Sequence, residues 1–311
     1  MSTSETTLTR SPGTTVVPGS GRVAAARRQR RNWRQYVGFT PALVVFGIFF
    51  VAPLCLIVVY SFWTTKNYNL IPGFTLDNYK TIVTTDTYIK TFGKTILMAT
   101  LATATTLALA FPFCYWLVRY VPAKLQRLLI LLVILPFWTS YLLRAYAWVA
   151  ILGDNGAINV FLKSVGLTDQ PVKFFLYDNP AVYIVLVYLY FPFAALTLFA
   201  SLERFDWRLL RAAVDLGASP MRSLVTILLP QMKLAMVTAG IFVFIPILGE
   251  YVAPQIVGGT NGVLMGNLIA NFFSGYLLPL GSAASVLVAL VIVVLLVLFR
   301  KGLDTKDIYG A

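Results

Sequence analysis

Two ionisable side chains stand in long apolar surroundings: Arg144 within FWTSYLLRAYAWVAIL and Glu250 within FIPILGEYVAP. A charge at membrane depth is costly, so such residues mark pairing, ion handling or solute contact. Each stands about sixteen residues into its apolar segment, which at 1.5 Å per residue places both roughly 24 Å along a straight helix. Pro136 and Pro246 precede them and can bend those helices. Aromatic residues gather at the same level: Trp138, Tyr141, Tyr146 and Trp148 beside Arg144, Tyr183, Tyr188 and Tyr190 in another apolar segment, and Tyr251 beside Glu250. Most suit an interfacial belt, where Trp and Tyr favour headgroup depth. Any that face a pore would hold an organic cation by cation–π contact, worth about 1–2 kcal/mol each when desolvated. Three readings of Glu250 stay open. It attracts a cation with Trp138 or Tyr141 as neighbours, it pairs with Arg144 at similar depth, or both charges snorkel to water.

The elements that carry these residues must be membrane helices. The chain has 311 residues, is 58% hydrophobic and 12% charged, with mean hydropathy +0.77. Soluble domains carry roughly twice that charge. The composition predicts an all-α polytopic membrane protein with six transmembrane helices near 39–63, 92–118, 128–151, 181–202, 234–254 and 281–300, each about long enough to cross ~30 Å of hydrocarbon. Lys and Arg set the orientation. The tail before the first span, the segments at 119–127 and 203–233, and the end of the chain are rich in them, and the alternate connections are poor. The rich side is cytoplasmic, with both termini on it. The net charge of +13 is explained by this placement, and no nucleic-acid-binding motif accompanies it.

Several chemistries are excluded. There is no His, and Cys55 and Cys114 lie apart in apolar segments, so neither a zinc site nor a disulfide framework is expected. No GxxxxGK(S/T) loop occurs, so ATP would be hydrolysed on another chain. Residues 1–37 read as a disordered basic cytoplasmic tail, 38–305 as the transmembrane domain and 306–311 as a short cytoplasmic tail. The stretch 153–180 opens as a turn and a short amphipathic helix. The stretch 255–280 opens with a Gly-rich turn, Gly258 to Gly262, and continues as a second short helix. No internal repeat is evident, and no Asp or Glu lies centrally in any span, both of which weigh against an ion-coupled secondary transporter.

The loop at 203–233 has the clearest local code. Asp206 can cap a helix, with Phe205 and Leu210 as its hydrophobic staple. Trp207, Leu210 and Val214 fall on one face. Gly217 stands where a left-handed C′ residue belongs, and Ser219 and Pro220 restart a helix as N-cap and N1. A short helix–turn–helix on a membrane bundle can serve as a rigid peg for a soluble partner. An amphipathic helix lying on lipid headgroups would not need both the Gly turn and the closing ILLP.

This segment resembles the cytoplasmic EAA loop of ABC importer permeases, in which E-A-A, three residues, G, nine residues and I-x-L-P follow in order. Ala212, Ala213, Gly217, Ile227, Leu229 and Pro230 match, and Arg211 replaces the leading acid. Two further segments, LPFWTSYLLRAYAWVAILGDNGAIN and GEYVAPQIVGGTNGVLMGNLI, resemble the first permease subunit of polyamine (putrescine and spermidine) ABC importers. That resemblance covers about residues 37–305. It implies a type I importer permease fold in a bacterial inner membrane, with a second homologous permease, an ATPase dimer holding ATP and Mg, and an external binding protein as partners, and no cofactor on this chain. It implies an ATPase-coupling set of Trp207, Arg211, Ala212, Ala213, Asp215, Gly217, Ala218, Ser219 and Pro220. The substrate pathway is expected at Trp138, Tyr141, Arg144, Glu250 and Tyr251. A permease for another small organic or inorganic solute is the alternative.

Overall fold

The computed structural model describes residues 40–67, 69–168, 170 and 176–302. The two tails expected at 1–37 and 306–311 lie outside the described residues. The chain parts into two compact units, Met1–Leu56 and Ile57–Ala311. Helix α1, Thr40–Tyr60, is a 21-residue apolar segment of mean hydropathy 3.0, with one π-helical turn at Gly47–Val51.

The second unit takes in the last turn of α1 and continues with a hairpin of β1 (Thr64–Lys66) and β2 (Asn69–Ile71), in register Thr64 with Ile71. Helix α2 (Asp77–Thr84) follows. Tyr79 reaches back to share a 2.6 Å hydrogen bond with Ser61, and the Asn78 amide donates to the Ser61 and Trp63 carbonyls. Helix α3 (Asp86–Tyr120) is 35 residues long and starts earlier than hydropathy alone predicts.

The core is a three-helix contact between α3, α7 (Asn179–Glu203) and α10 (Lys233–Leu248). Small residues line it: Ala99, Ala102, Ala110 and Cys114 on α3, Ala181, Ala194 and Ala195 on α7, and Ala239 on α10 are all fully buried. Small side chains let helix backbones approach, which is what drives association in lipid, where no hydrophobic gain is available. The Cys114 thiol donates to the Ala195 carbonyl at 3.2 Å across this contact.

The third span is not one helix. Helix α4 (Ala123–Ile134) tightens into a 3₁₀ turn at Leu135–Trp138 and stops. Thr139 and Ser140 are extended, with ψ of 154° and 137°, and α5 (Tyr141–Leu152) begins afresh. The axes on either side of the break meet at 97°. Pro136 lacks the N–H that an α-helix would need there and favours such a turn. Helix α6 (Ala157–Ser164) then follows a short turn, at the place predicted for it.

The fifth span also ends early. Helix α10 stops at Leu248, Gly249 to Tyr251 break the chain, and α11 (Val252–Val257) leaves in a new segment. Glu250 therefore sits in a helix break and not inside a span. The straight-helix depths of Arg144 and Glu250 fail for this reason. Helix α12 (Met265–Ser274) occupies the second predicted outer helix, and α13 (Leu278–Gly302) closes the chain. Among the described residues four helices are long and apolar enough to cross a membrane alone, and up to six spans result when each of two bent pairs counts as one.

Candidate functional site

Two places in the second unit carry functional features, one at the C-terminal end of α7 and one against its first half. At its C-terminal end stands the predicted helix–turn–helix. Helix α8 (Arg208–Asp215) is capped by Asp206, whose Oδ1 accepts from the Arg208 N–H at 2.9 Å. It ends in a Schellman turn: the Ala218 N–H donates to the Ala213 carbonyl at 3.0 Å and the Gly217 N–H to Val214 at 2.9 Å. That closure needs a left-handed residue, and Gly217 supplies it with φ of 90°. Ser219 then caps α9 (Pro220–Gln231) by accepting from the Arg222 N–H at 3.3 Å. Helix α9 carries a π-helical stretch at Leu224–Leu228, and its axis meets that of α10 at 65°.

The side chains of this peg divide into root and tip. Trp207 packs at the root, 5.2 Å from Phe205 and 5.9 Å from Tyr115 by ring centroids, with the Arg119 guanidinium 5.7 Å over its face. Leu210 joins it against the core. Val214, one turn further along the same face, is exposed and lies beyond the part that packs on the core. Arg211, Ala212 and Asp215 are exposed along α8, and Ala213 and Ala218 are half-buried. Gly217, Ser219 and Pro220 are exposed at the turn. Leu216 and Met221 flank that turn at 89% and 71% exposure. Sequence reasoning passed over both, although an apolar residue on each side of a Gly turn is a legible signal.

The two helix breaks lie against the other half of α7, from its start to its middle. Glu250 is buried, and both carboxylate oxygens are engaged. Oε2 accepts from the Tyr190 hydroxyl at 2.7 Å. Oε1 accepts from the Val252 and Ala253 N–H groups at 2.9 and 3.3 Å, so the carboxylate holds the start of α11. Anions suit helix N-termini because the first N–H groups have no partner within the helix. Arg144 makes no ion pair with Glu250, since the one ion pair among the described residues joins Lys90 and Asp86 on the surface. Its guanidinium lies over the rings of Phe137 and Tyr141, at 4.8 and 5.5 Å. Tyr141 and Tyr190 stand within electrostatic reach of both Glu250 and Arg144. Trp138 is 81% exposed and stands apart from this group, because the break turns it outward. Tyr251 is half out of the protein and lines a cavity between α5 and α11.

Hydrogen bonds that no local pattern announced fix this end. Thr95 on α3 accepts from the Met265 N–H at 2.9 Å. The Asn267 amide donates to the Tyr251 carbonyl at 2.6 Å, and its Oδ1 accepts from the Leu264 N–H. Lys94 donates to the Asn261 carbonyl. The Tyr177 N–H, just before α7, donates to the Val257 carbonyl at 2.9 Å. An Asn inside the apolar run VLMGNLIANFF was the available clue to Asn267; Thr95 offered none.

Residues 95–304 match the family described as binding-protein-dependent transport system inner membrane component. The chain is 33% identical over 257 residues to the spermidine/putrescine transport system permease protein PotB of Salmonella typhimurium, covering 82% of this chain and 88% of that one. The Escherichia coli K12 protein of the same name is also 33% identical, with 92% of its length covered. The inner membrane ABC transporter permease protein YdcU of E. coli K12 is 29% identical over 93% of this chain and 96% of its own. Among solved structures, a bacterial ABC transporter involved in the import of the acidic polysaccharide alginate superposes with a TM-score of 0.74 at 18% identity, covering 91% of this chain and 99% of that one. At that identity the likeness speaks for the fold. With the peg, the bent spans and these relatives together, the chain belongs to the binding-protein-dependent transport system inner membrane component family and is a multi-pass permease subunit of an ABC importer, not an enzyme.

Proposed function

We propose that this permease forms half of the translocation pathway for a polyamine such as putrescine or spermidine, delivered by an external binding protein. The identity to spermidine/putrescine permeases over most of the chain is the observation that carries the solute class. The peg at 207–230 is the element that an ATPase subunit engages. Its capped and Schellman-closed geometry supports this, because a helix–turn–helix held at its root by Trp207 transmits a push as a rigid body. Arg211, Ala212, Ala213, Asp215, Gly217, Ala218, Ser219 and Pro220 form or shape the contact, and Trp207 anchors it to α3.

In this reading the pathway is completed by a second homologous permease, and ATP and Mg sit on an ATPase dimer beneath. The peg end faces the cytoplasm in this reading, which the Lys- and Arg-rich segments on its side support. Closure of the ATPases on ATP would bias the bundle between two states. The test is uptake into proteoliposomes holding the whole complex, with loaded binding protein outside and ATP inside. ATP-dependent uptake of radiolabelled spermidine or putrescine is expected. Uptake that follows an ion gradient without ATP, or uptake of neither amine, overturns the reading.

A further inference from the structure

The cavity between α5 and α11 measures about 510 Å³, within the roughly 300–1,000 Å³ usual for small-molecule sites. Three tyrosines, Tyr146, Tyr177 and Tyr251, stand around it with the Gln255 amide, over apolar walls that include Leu142 and Ile256. We propose that this tyrosine box is a solute-contact subsite that takes an alkylammonium group by its aromatic faces. This rests on the polyamine reading above and adds the residues that would touch the solute.

Three observations favour a cation over an anion. The start of α11 borders the cavity, and helix starts attract anions. Here that position is already filled, because Glu250 accepts from the Val252 and Ala253 N–H groups. Arg144 is turned away. Leu142, Tyr146 and Val149 form the cavity stripe of α5 at helical spacing, whereas Tyr141, Arg144 and Trp148 form another. Trp148 on that second stripe meets Tyr188 of α7 at 5.3 Å. What remains facing the cavity is phenol rings, whose faces are electron-rich, and one neutral amide. With no carboxylate among its lining residues the site would hold a cation weakly, as a transit site must.

Tyr177 is held there at a conformational cost. Its φ is 63°, a left-handed value that non-glycine residues adopt rarely. The Val257 carbonyl holds its N–H, and Gly259 lies so close that a Cβ would meet the Tyr177 carbonyl oxygen at 2.5 Å. Strain of this kind persists only where the surroundings over-determine it, and it gathers at ligand contacts.

The test uses the intact complex in proteoliposomes, with spermidine-loaded binding protein at saturation, and reads uptake of labelled spermidine per ATP hydrolysed. Tyr146→Leu and Tyr251→Leu remove a π face from side chains that are 60% and 46% exposed. Tyr177→Gly removes the third ring while relieving the backbone, so folding is not the obstacle. Each is expected to lower uptake per ATP about 5- to 30-fold, the size of a desolvated cation–π contact, with ATPase stimulation by the loaded binding protein retained. Tyr146→Phe and Tyr251→Phe keep the π face and are expected to stay within roughly twofold of the parent. Leucine variants that match the parent, or phenylalanine variants as impaired as leucine ones, overturn the subsite. If the parent complex imports neither spermidine nor putrescine, the polyamine reading falls and the subsite with it. If the parent imports them and the leucine variants do so equally well, the subsite alone falls.

Discussion

The Tyr190 hydroxyl donates to Glu250 Oε2 at 2.7 Å, tying the middle of α7 to the break that follows α10. The other oxygen of the same carboxylate holds the first N–H groups of α11. One buried acid thus joins three helices. Tyr190→Phe leaves a buried carboxylate oxygen without its donor and is expected to cost about 1–3 kcal/mol. Thermal unfolding of the purified complex should show it as a lowered midpoint. A midpoint equal to the parent's would mean that water replaces the phenol.

Glu250→Gln should be worse than the tyrosine change. The amide oxygen can keep the α11 N–H groups while its NH2 donates to the Tyr190 hydroxyl, but every charge-assisted bond of the carboxylate then becomes a neutral one of about half the strength. Because Arg144 is not ion-paired to Glu250, adding Arg144→Gln is expected to give no rescue of assembly. Size-exclusion yield of the single and double variants decides this. Recovery in the double variant would restore the idea of a direct charge pair.

Gly217→Val tests the peg. A Cβ at this position meets no neighbouring atom within 4 Å, so the whole penalty is the left-handed backbone, about 1–3 kcal/mol. The variant is expected to insert normally and lose co-purification with the ATPase. Gly217→Asn, which tolerates left-handed φ, should retain it. Equal loss in both variants would point to a role for the glycine other than its conformation.

Leu216→Asp should uncouple without unfolding. Leu216 is among the most exposed apolar side chains in the described residues, at 89%, and Met221 stands across the same turn. On the proposal that this turn docks on an ATPase subunit, Leu216 is its apolar tip. Placing a charge there is expected to cost ATPase affinity about tenfold or more, a loss of at least ~1.4 kcal/mol. Pull-down of the ATPase by the tagged permease is the measurement, and an unchanged yield would remove Leu216 from the interface.

Thr95→Val keeps shape and deletes the acceptor of the buried Met265 N–H, so α12 should loosen from α3 at a cost of about 1–3 kcal/mol. Hydrogen exchange at the start of α12 is expected to speed up, with the peg end unchanged. Exchange that stays as slow as in the parent would show that another group takes the amide.

What the sequence determined by itself is local. The caps of α8 and α9, the Gly217 turn and the short helices α6 and α12 all rest on contacts two to five residues apart, which are written in residue order. The six apolar segments were legible for the same kind of reason, since hydropathy sums over neighbours. What only the tertiary structure decided is which helices break and whom the buried charge meets. Pro136 is compatible with a kink or with a stop, and the stop at Trp138 emerges where α5 leaves the line of α4 by 97°. Glu250 finds Tyr190 sixty residues away, and Met265 finds Thr95 at a separation of 170. A carboxylate accepts from whichever donors the folded backbone delivers. Arg144, one turn into a helix that had changed direction, settled on aromatic faces instead.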